Sequence, residues 1–265
     1  MSMVDIETPP GFVLREEAHK AAYENGFRIE VGVKDGWIGY RSSTARGEIW
    51  IGRAAGKENW LLSISHAGVA AELDLPRMDS PLGPWFVMYA FTTLGELYRV
   101  LDRAYKLGVS LPDAPLDAFR KATVHLPQTT EVERLTVERV GQSLFRQALL
   151  EYWNGRCPLT CITDPALVRA SHIVPWAECE SDALRLDVHN GLLLSALWDA
   201  AFDAGLISFA DDGAVLRSPN LTAEAAAALG LNSATTLAGL TDLHRQNLAR
   251  HRAKYGFEIG SANAN

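Results

Sequence analysis

Residues able to do chemistry gather in two stretches, Arg156-Cys-Pro-Leu-Thr-Cys-Ile-Thr-Asp-Pro-Ala-Leu-Val-Arg-Ala-Ser-His-Ile-Val-Pro-Trp176 and Arg185-Leu-Asp-Val-His-Asn-Gly-Leu-Leu-Leu-Ser-Ala-Leu-Trp-Asp-Ala-Ala-Phe-Asp203. Ala166 to Ile173 reads as a strand ending in the imidazole of His172. Pro175 then breaks the ladder, an acidic irregular loop follows, and Asn190-Gly191 opens a return strand into a short helix. Asp199 and Asp203 lie four apart on that helix. This spacing puts both carboxylates on one face, one turn from each other, where a hard divalent cation can bridge them. An imidazole with an ordinary pKa of about 6.5 is neutral at pH 7 and able to take a proton.

The pattern resembles the HNH nuclease motif, a ββα-metal finger. It is similar above all to bacterial HNH endonucleases whose motif reads His-Ile-x-Pro-Trp, here His172 to Trp176, and then Asn-Gly-Leu-Leu-Leu, here Asn190 to Leu194. The resemblance covers roughly residues 129 to 209. It implies hydrolysis of DNA phosphodiester bonds, with His172 as general base and Asn190 fixing the loop that orients it. It also implies metal ligands nine and thirteen residues beyond the asparagine, which are Asp199 and Asp203 here. One divalent ion would contact the scissile phosphate and the leaving oxygen. Oxygen ligands favour Mg²⁺ or Mn²⁺ over zinc, with nickel or cobalt as substitutes.

Two positions depart from the family pattern. Ser171 stands where many members carry Asp or His as a further ligand, which leaves water to complete the shell. Cys157 and Cys161 have no second cysteine pair beyond the helix, so no structural zinc is expected on them. The implied setting is bacterial restriction or defence, with target selection by the residues before the finger. Two alternatives are a DNA-binding module whose HNH fold does not cut and a nuclease gated by an effector on the N-terminal domain. Cutting both strands with one finger per chain would suit a homodimer.

Composition sets outer bounds. A chain of 265 residues with 48% hydrophobic and 22% charged residues is that of a globular protein able to build cores without disulfides, which excludes disordered and collagen-like classes. Three cysteines make no disulfide framework, no apolar run is long enough for a membrane span, and the N-terminus lacks a secretory pattern, so the expected location is the cytoplasm. A net charge of −7 opposes nonspecific coating of nucleic acid but permits a local basic groove. The basic run His244 to Lys254 on a C-terminal helix is a candidate backbone-tracking surface or a solvated face, and Arg134, Arg139, Arg146, Arg156 and Arg169 are further candidates. His189 and Cys179 are expected in surface or loop positions.

The elements that must position these groups divide into an α+β N-terminal domain, 1–127 with its linker, and a largely helical C-terminal domain, 128–265, that contains the finger. In the first, Phe27–Val33 and Trp37–Tyr40 read as a hairpin about Asp35-Gly36, with further strands at Glu48–Gly52, Asn59–Ile64 and Pro84–Ala90. A helix over Thr92–Leu107 is expected to stop at Gly108. Trp37, Tyr40, Trp50 and Trp60 suit a core or an aromatic cage for a base. The proline-bearing segments Ser110–Pro115 and Leu126–Thr130 read as a hinge. A long helix then starts near Thr129 or Thr130, with Val132, Leu135, Val140, Leu144, Phe145 and Leu149 inward, and Leu221–Leu229 is an alanine-rich helix candidate.

Overall fold

A computed structural model of the chain describes residues 5–56, 59–78, 84, 87–126, 130–231 and 235–257. The chain separates into two compact units, Met1–Ala114 and Pro115–Asn265.

The first unit runs α1 (Phe12–Glu24), β1 (Ile29–Lys34), β2 (Trp37–Arg41), β3 (Glu48–Arg53), β4 (Trp60–Ile64), α2 (Ala67–Glu72), β5 (Met88–Phe91) and α3 (Leu94–Ser110). The five strands form an antiparallel meander in chain order. Asp35 and Gly36 turn the first hairpin with φ of 51° and 83°, the left-handed pair that a two-residue turn requires. Strand pairing places Ile38, Tyr40, Ile49, Ile51 and Leu62 on one face and Trp37, Trp50 and Leu61 on the other. Trp60 pairs with Arg53 and so shares the Tyr40 face. The four aromatic residues therefore divide between opposite faces of the sheet and do not converge as a cage. Of the expected strand Pro84–Ala90, Trp85 and Phe86 lie outside the described residues.

Gly108 does not end α3. The helix continues to Ser110, and the backbone amide of Arg46 donates to the Gly108 carbonyl at 2.8 Å. A Cβ at Gly108 would lie 3.1 Å from that arginine's carbonyl oxygen, so the glycine serves close approach of a loop. The segment Ser110–Pro115 contains the division between the two units, after Ala114. It contains the start of α4 (Asp113–Thr123), with Pro115 in the first turn, where proline's missing N–H costs nothing. In the other expected hinge segment, residues 127–129 lie outside the described residues.

The second unit continues with α5 (Glu131–Tyr152), β6 (Val168–His172), α6 (Asp182–Arg185), β7 (Gly191–Ser195), α7 (Ala196–Asp203), β8 (Ile207–Phe209), β9 (Val215–Arg217), α8 (Ala223–Ala228) and α9 (Asp242–Tyr255). Thr130 and Glu133 cap α5 reciprocally, side chain to backbone in each direction. Only the later turns of α5 are buried, through Gly141, Phe145, Ala148, Leu149 and Tyr152. Val132, 73% exposed, and Leu135 thus face outward, against expectation, because the finger packs along α5 only from Gly141 onward. Strands β6 and β7 form a two-stranded antiparallel sheet in which His172 pairs with Gly191 and Ser171 with Leu192. Leu192 and Leu194 join Ile173, Trp198 and Phe202 in the main core, while Leu193 packs with Cys157 and Val168. Among the described residues no helix is long and apolar enough to cross a membrane.

Candidate active site

The strand-strand-helix unit β6–β7–α7 brings His172, Asp199 and Asp203 to one cleft of about 440 Å³. Arg169, Ser171, Trp176, His251 and Tyr255 also line it. β6 has a partner on one side only, and five consecutive residues, Arg169 to Ile173, contribute to the lining. The cleft thus follows the open edge of β6, where residues from both faces of the strand can reach it.

His172 stacks on Phe145 of α5, with ring centroids 3.7 Å apart, and meets the edge of Trp176 at 5.6 Å. Its Nε2 lies 2.9 Å from the Arg185 carbonyl oxygen. A carbonyl can only accept, so Nε2 carries the proton and Nδ1 keeps a free lone pair. Burial lowers the pKa to about 4, against a smaller upward effect of the Arg185 carbonyl, so the ring is neutral at pH 7. The close fit explains Gly191, where a Cβ would fall 2.5 Å from Phe145 Cζ and 2.8 Å from Leu149 Cδ1. The glycine lets α5 approach the strand pair closely enough to support the imidazole.

Asn190 is fully buried and is not part of the cleft lining. Its Oδ1 accepts from the Val174 amide at 2.8 Å, and its Nδ2 donates to the carbonyls of Val174 and Leu184, both at 3.2 Å. These bonds tie the end of β6 to α6, next to the Arg185 carbonyl that holds His172. Asn190 is a positioning residue. The Arg185 guanidinium secures the same loop through Cys179 O, Trp176 O and Asp182. Sequence reasoning missed Arg185 because its contact with His172 is made by backbone, which no residue type advertises.

Burial raises the pKa of Asp199 and Asp203. The Ser171 hydroxyl and Arg169 oppose the rise at Asp199, while at Asp203 the Asp199 charge adds to it and Ser171 and Lys254 oppose it. Ser171 is 2% exposed, and its Oγ is near enough to influence both carboxyls yet makes no hydrogen bond of normal geometry. Two carboxylates and an orphaned buried hydroxyl form an all-oxygen donor set, which fits a hard divalent cation. Among the described residues no three His, Cys, Asp or Glu side chains form a metal site by themselves. Water or substrate oxygens would have to complete a shell on Asp199 and Asp203.

Two loop expectations are overturned. His189 is 3% exposed, its Nδ1 2.7 Å from Asp187 Oδ1, its ring packed among Tyr152 and His244. Cys179 is 4% exposed and lies 3.4 Å from the Val174 carbonyl and from Asn190 Nδ2. Both residues are polar types whose burial depends on partners distant in sequence. The basic run on α9 is divided, with His244, His251 and Arg252 buried and Arg250 and Lys254 exposed. Arg252 is buried, donating to Phe209 O and Asp211, and Arg245 engages Asp242 and the Asp211 carbonyl. Arg146 donates to the carbonyls of Val168 and Pro165, bracing the approach to β6, whereas Arg134, Arg139 and Arg156 are exposed.

His251 and Tyr255 complete the cleft from α9 and were not anticipated. His251 stacks on Phe202 at 3.9 Å, its Nε2–H facing Phe202 O at 3.2 Å and its Nδ1 accepting from Ser208 at 3.0 Å. Tyr255 donates to the Asp203 carbonyl at 2.8 Å, and its ring fills the space a Cβ would need at Gly205. No curated protein matches the chain. Residues 157–210, which contain His172, Asn190, Asp199 and Asp203, match the family model described as HNH endonuclease, which supports nuclease activity on nucleic acid.

Proposed function

We propose that the protein is a metal-dependent endonuclease that hydrolyses DNA phosphodiester bonds, with His172 as general base and Asp199 and Asp203 as metal ligands. The observation that carries this reading is the convergence, on one cleft, of a neutral imidazole with a free Nδ1 and two carboxylates one helical turn apart. When bound, the divalent cation supplies charge stabilisation at the scissile phosphate and the leaving oxygen. Nδ1 of His172 accepts the proton of the attacking water, and the Phe145 stack and the Arg185 carbonyl hold the ring so that no reorientation is needed. Arg169, at the cleft rim, can meet phosphate oxygens as a cation. In this reading the N-terminal unit selects the target within a restriction or defence role, because contacts to phosphate alone do not read sequence.

The test is cleavage of modified and unmodified plasmid DNA with Mg²⁺ or Mn²⁺ and with a chelator. Metal-dependent nicking is expected in the wild type. His172→Ala should lower its rate by on the order of 10²- to 10⁴-fold with folding and DNA binding retained. Asp199→Asn should weaken metal binding and cleavage together. Wild-type rates in the folded alanine variant would remove His172 from the base role.

A further inference from the structure

We propose that Ser171 is a third oxygen ligand of the cation held by Asp199 and Asp203, taking its place through a neutral hydroxyl. This rests on the metal-dependent reading above. Ser171 sits on β6 opposite Leu192, one residue before His172 and on the other face of the strand. Leu192 belongs to the core formed with Trp198, Ala201 and Phe202 of α7, so Ser171 shares the face that α7 covers. α7 presents Asp199 and Asp203 to the same cleft.

The hydroxyl there is unusual in one respect. It is 2% exposed and lies close to both carboxyls, yet it makes no hydrogen bond of normal geometry to either. A buried polar atom left unpaired is unfavourable, and folded proteins rarely tolerate one without a use for it. A hydroxyl facing two carboxylates has a single proton to offer and two lone pairs, and a cation between the three groups would engage a lone pair and remove the deficit. An alanine at this position would leave no polar atom to satisfy. A third acidic residue would add a third negative charge to a cleft that two carboxylates already line. The hydroxyl supplies an oxygen without adding charge.

The experiment uses the full-length chain and reads metal binding directly. Ser171→Ala should remain folded, with a thermal midpoint in chelator close to wild type, since no hydrogen bond of normal geometry is lost. Its Mn²⁺ affinity by calorimetry should fall by about 10-fold or more. Ser171→Cys exchanges a hard donor for a soft one. It should bind Mn²⁺ more weakly and Cd²⁺ more tightly, and with Co²⁺ it should show a thiolate-to-metal charge-transfer band. The wild-type protein, with its own Cys157, Cys161 and Cys179, gives the baseline, and adding Asp199→Asn to the cysteine variant should abolish the band. Wild-type Mn²⁺ affinity in folded Ser171→Ala overturns the assignment, as does a cobalt spectrum of Ser171→Cys that matches the baseline. If the wild type itself binds no Mn²⁺ and Asp199→Asn changes nothing, the metal-dependent reading fails and the ligand assignment fails with it.

Discussion

Acidification should destabilise the second unit well before ordinary carboxylates protonate. His172 and His251 are both held neutral by burial, each with a pKa lowered to about 4. In the unfolded chain each would titrate near 6.5. The folded value lies below the unfolded one, so stability is complete above about pH 6.5 and declines as pH falls toward 4. A difference of about 2.5 units at about 1.4 kcal/mol per unit gives about 3 kcal/mol for each ring, and roughly 5 kcal/mol for both by pH 4.5. That is comparable with the whole stability of many domains, about 5–15 kcal/mol. Asp199 and Asp203 act in the opposite sense. Their raised folded pKa values let the native state take up protons first, which returns part of the loss as pH falls through them. Urea denaturation of the full-length protein at intervals from pH 7.5 to 4.5 measures the net slope. The double variant His172→Gln, His251→Gln should show a distinctly flatter dependence. A wild-type stability that is level from pH 6.5 to 4.5, or a slope unchanged in the double variant, would refute the assignment of both rings as buried and neutral.

Asn190→Ala leaves the Val174 amide and the Val174 and Leu184 carbonyls without their partner. At about 1–3 kcal/mol per buried unsatisfied group, the loss should be on the order of 3 kcal/mol or more, read from the urea midpoint. Gly191→Ala drives a methyl to 2.5 Å from Phe145 Cζ and should cost about 1–3 kcal/mol while shifting the ring-current signature of His172 by NMR. A fragment beginning before α4 should keep metal-dependent nicking and lose target discrimination. Starting instead near Gln128 would remove Phe119, which packs within the second unit against Gly141. An identical cleavage pattern from fragment and full-length protein would remove target selection from the first unit.

What the sequence reveals follows from how local each feature is. The convergence of His172, Asp199 and Asp203 on one cleft was legible because β6, β7 and α7 are consecutive short elements, whereas Asn190 was singled out only by the motif it resembles. The α5 cap and the Asp35-Gly36 turn were legible for the same reason. Features that depend on distant chain were not. Gly108 has the residue type of a helix stop, yet the chain spends it on close approach by Arg46. Val132 and Leu135 fit the helical stripe, but nothing in a stripe records where its packing partner ends. His189 and Cys179 look like loop residues until Asp187, Tyr152 and Asn190 close around them.

The wall that α9 contributes to the cleft is the last part of it to be synthesised. The segment matching the family ends at residue 210, but His251 and Tyr255 are placed much later in translation. A nascent chain with the complete motif still lacks the ring that stacks on Phe202 and the phenol that holds the end of α7 at Asp203. Domains fold largely as units as they emerge. A chain interrupted before α9 would therefore release a motif without a finished cleft.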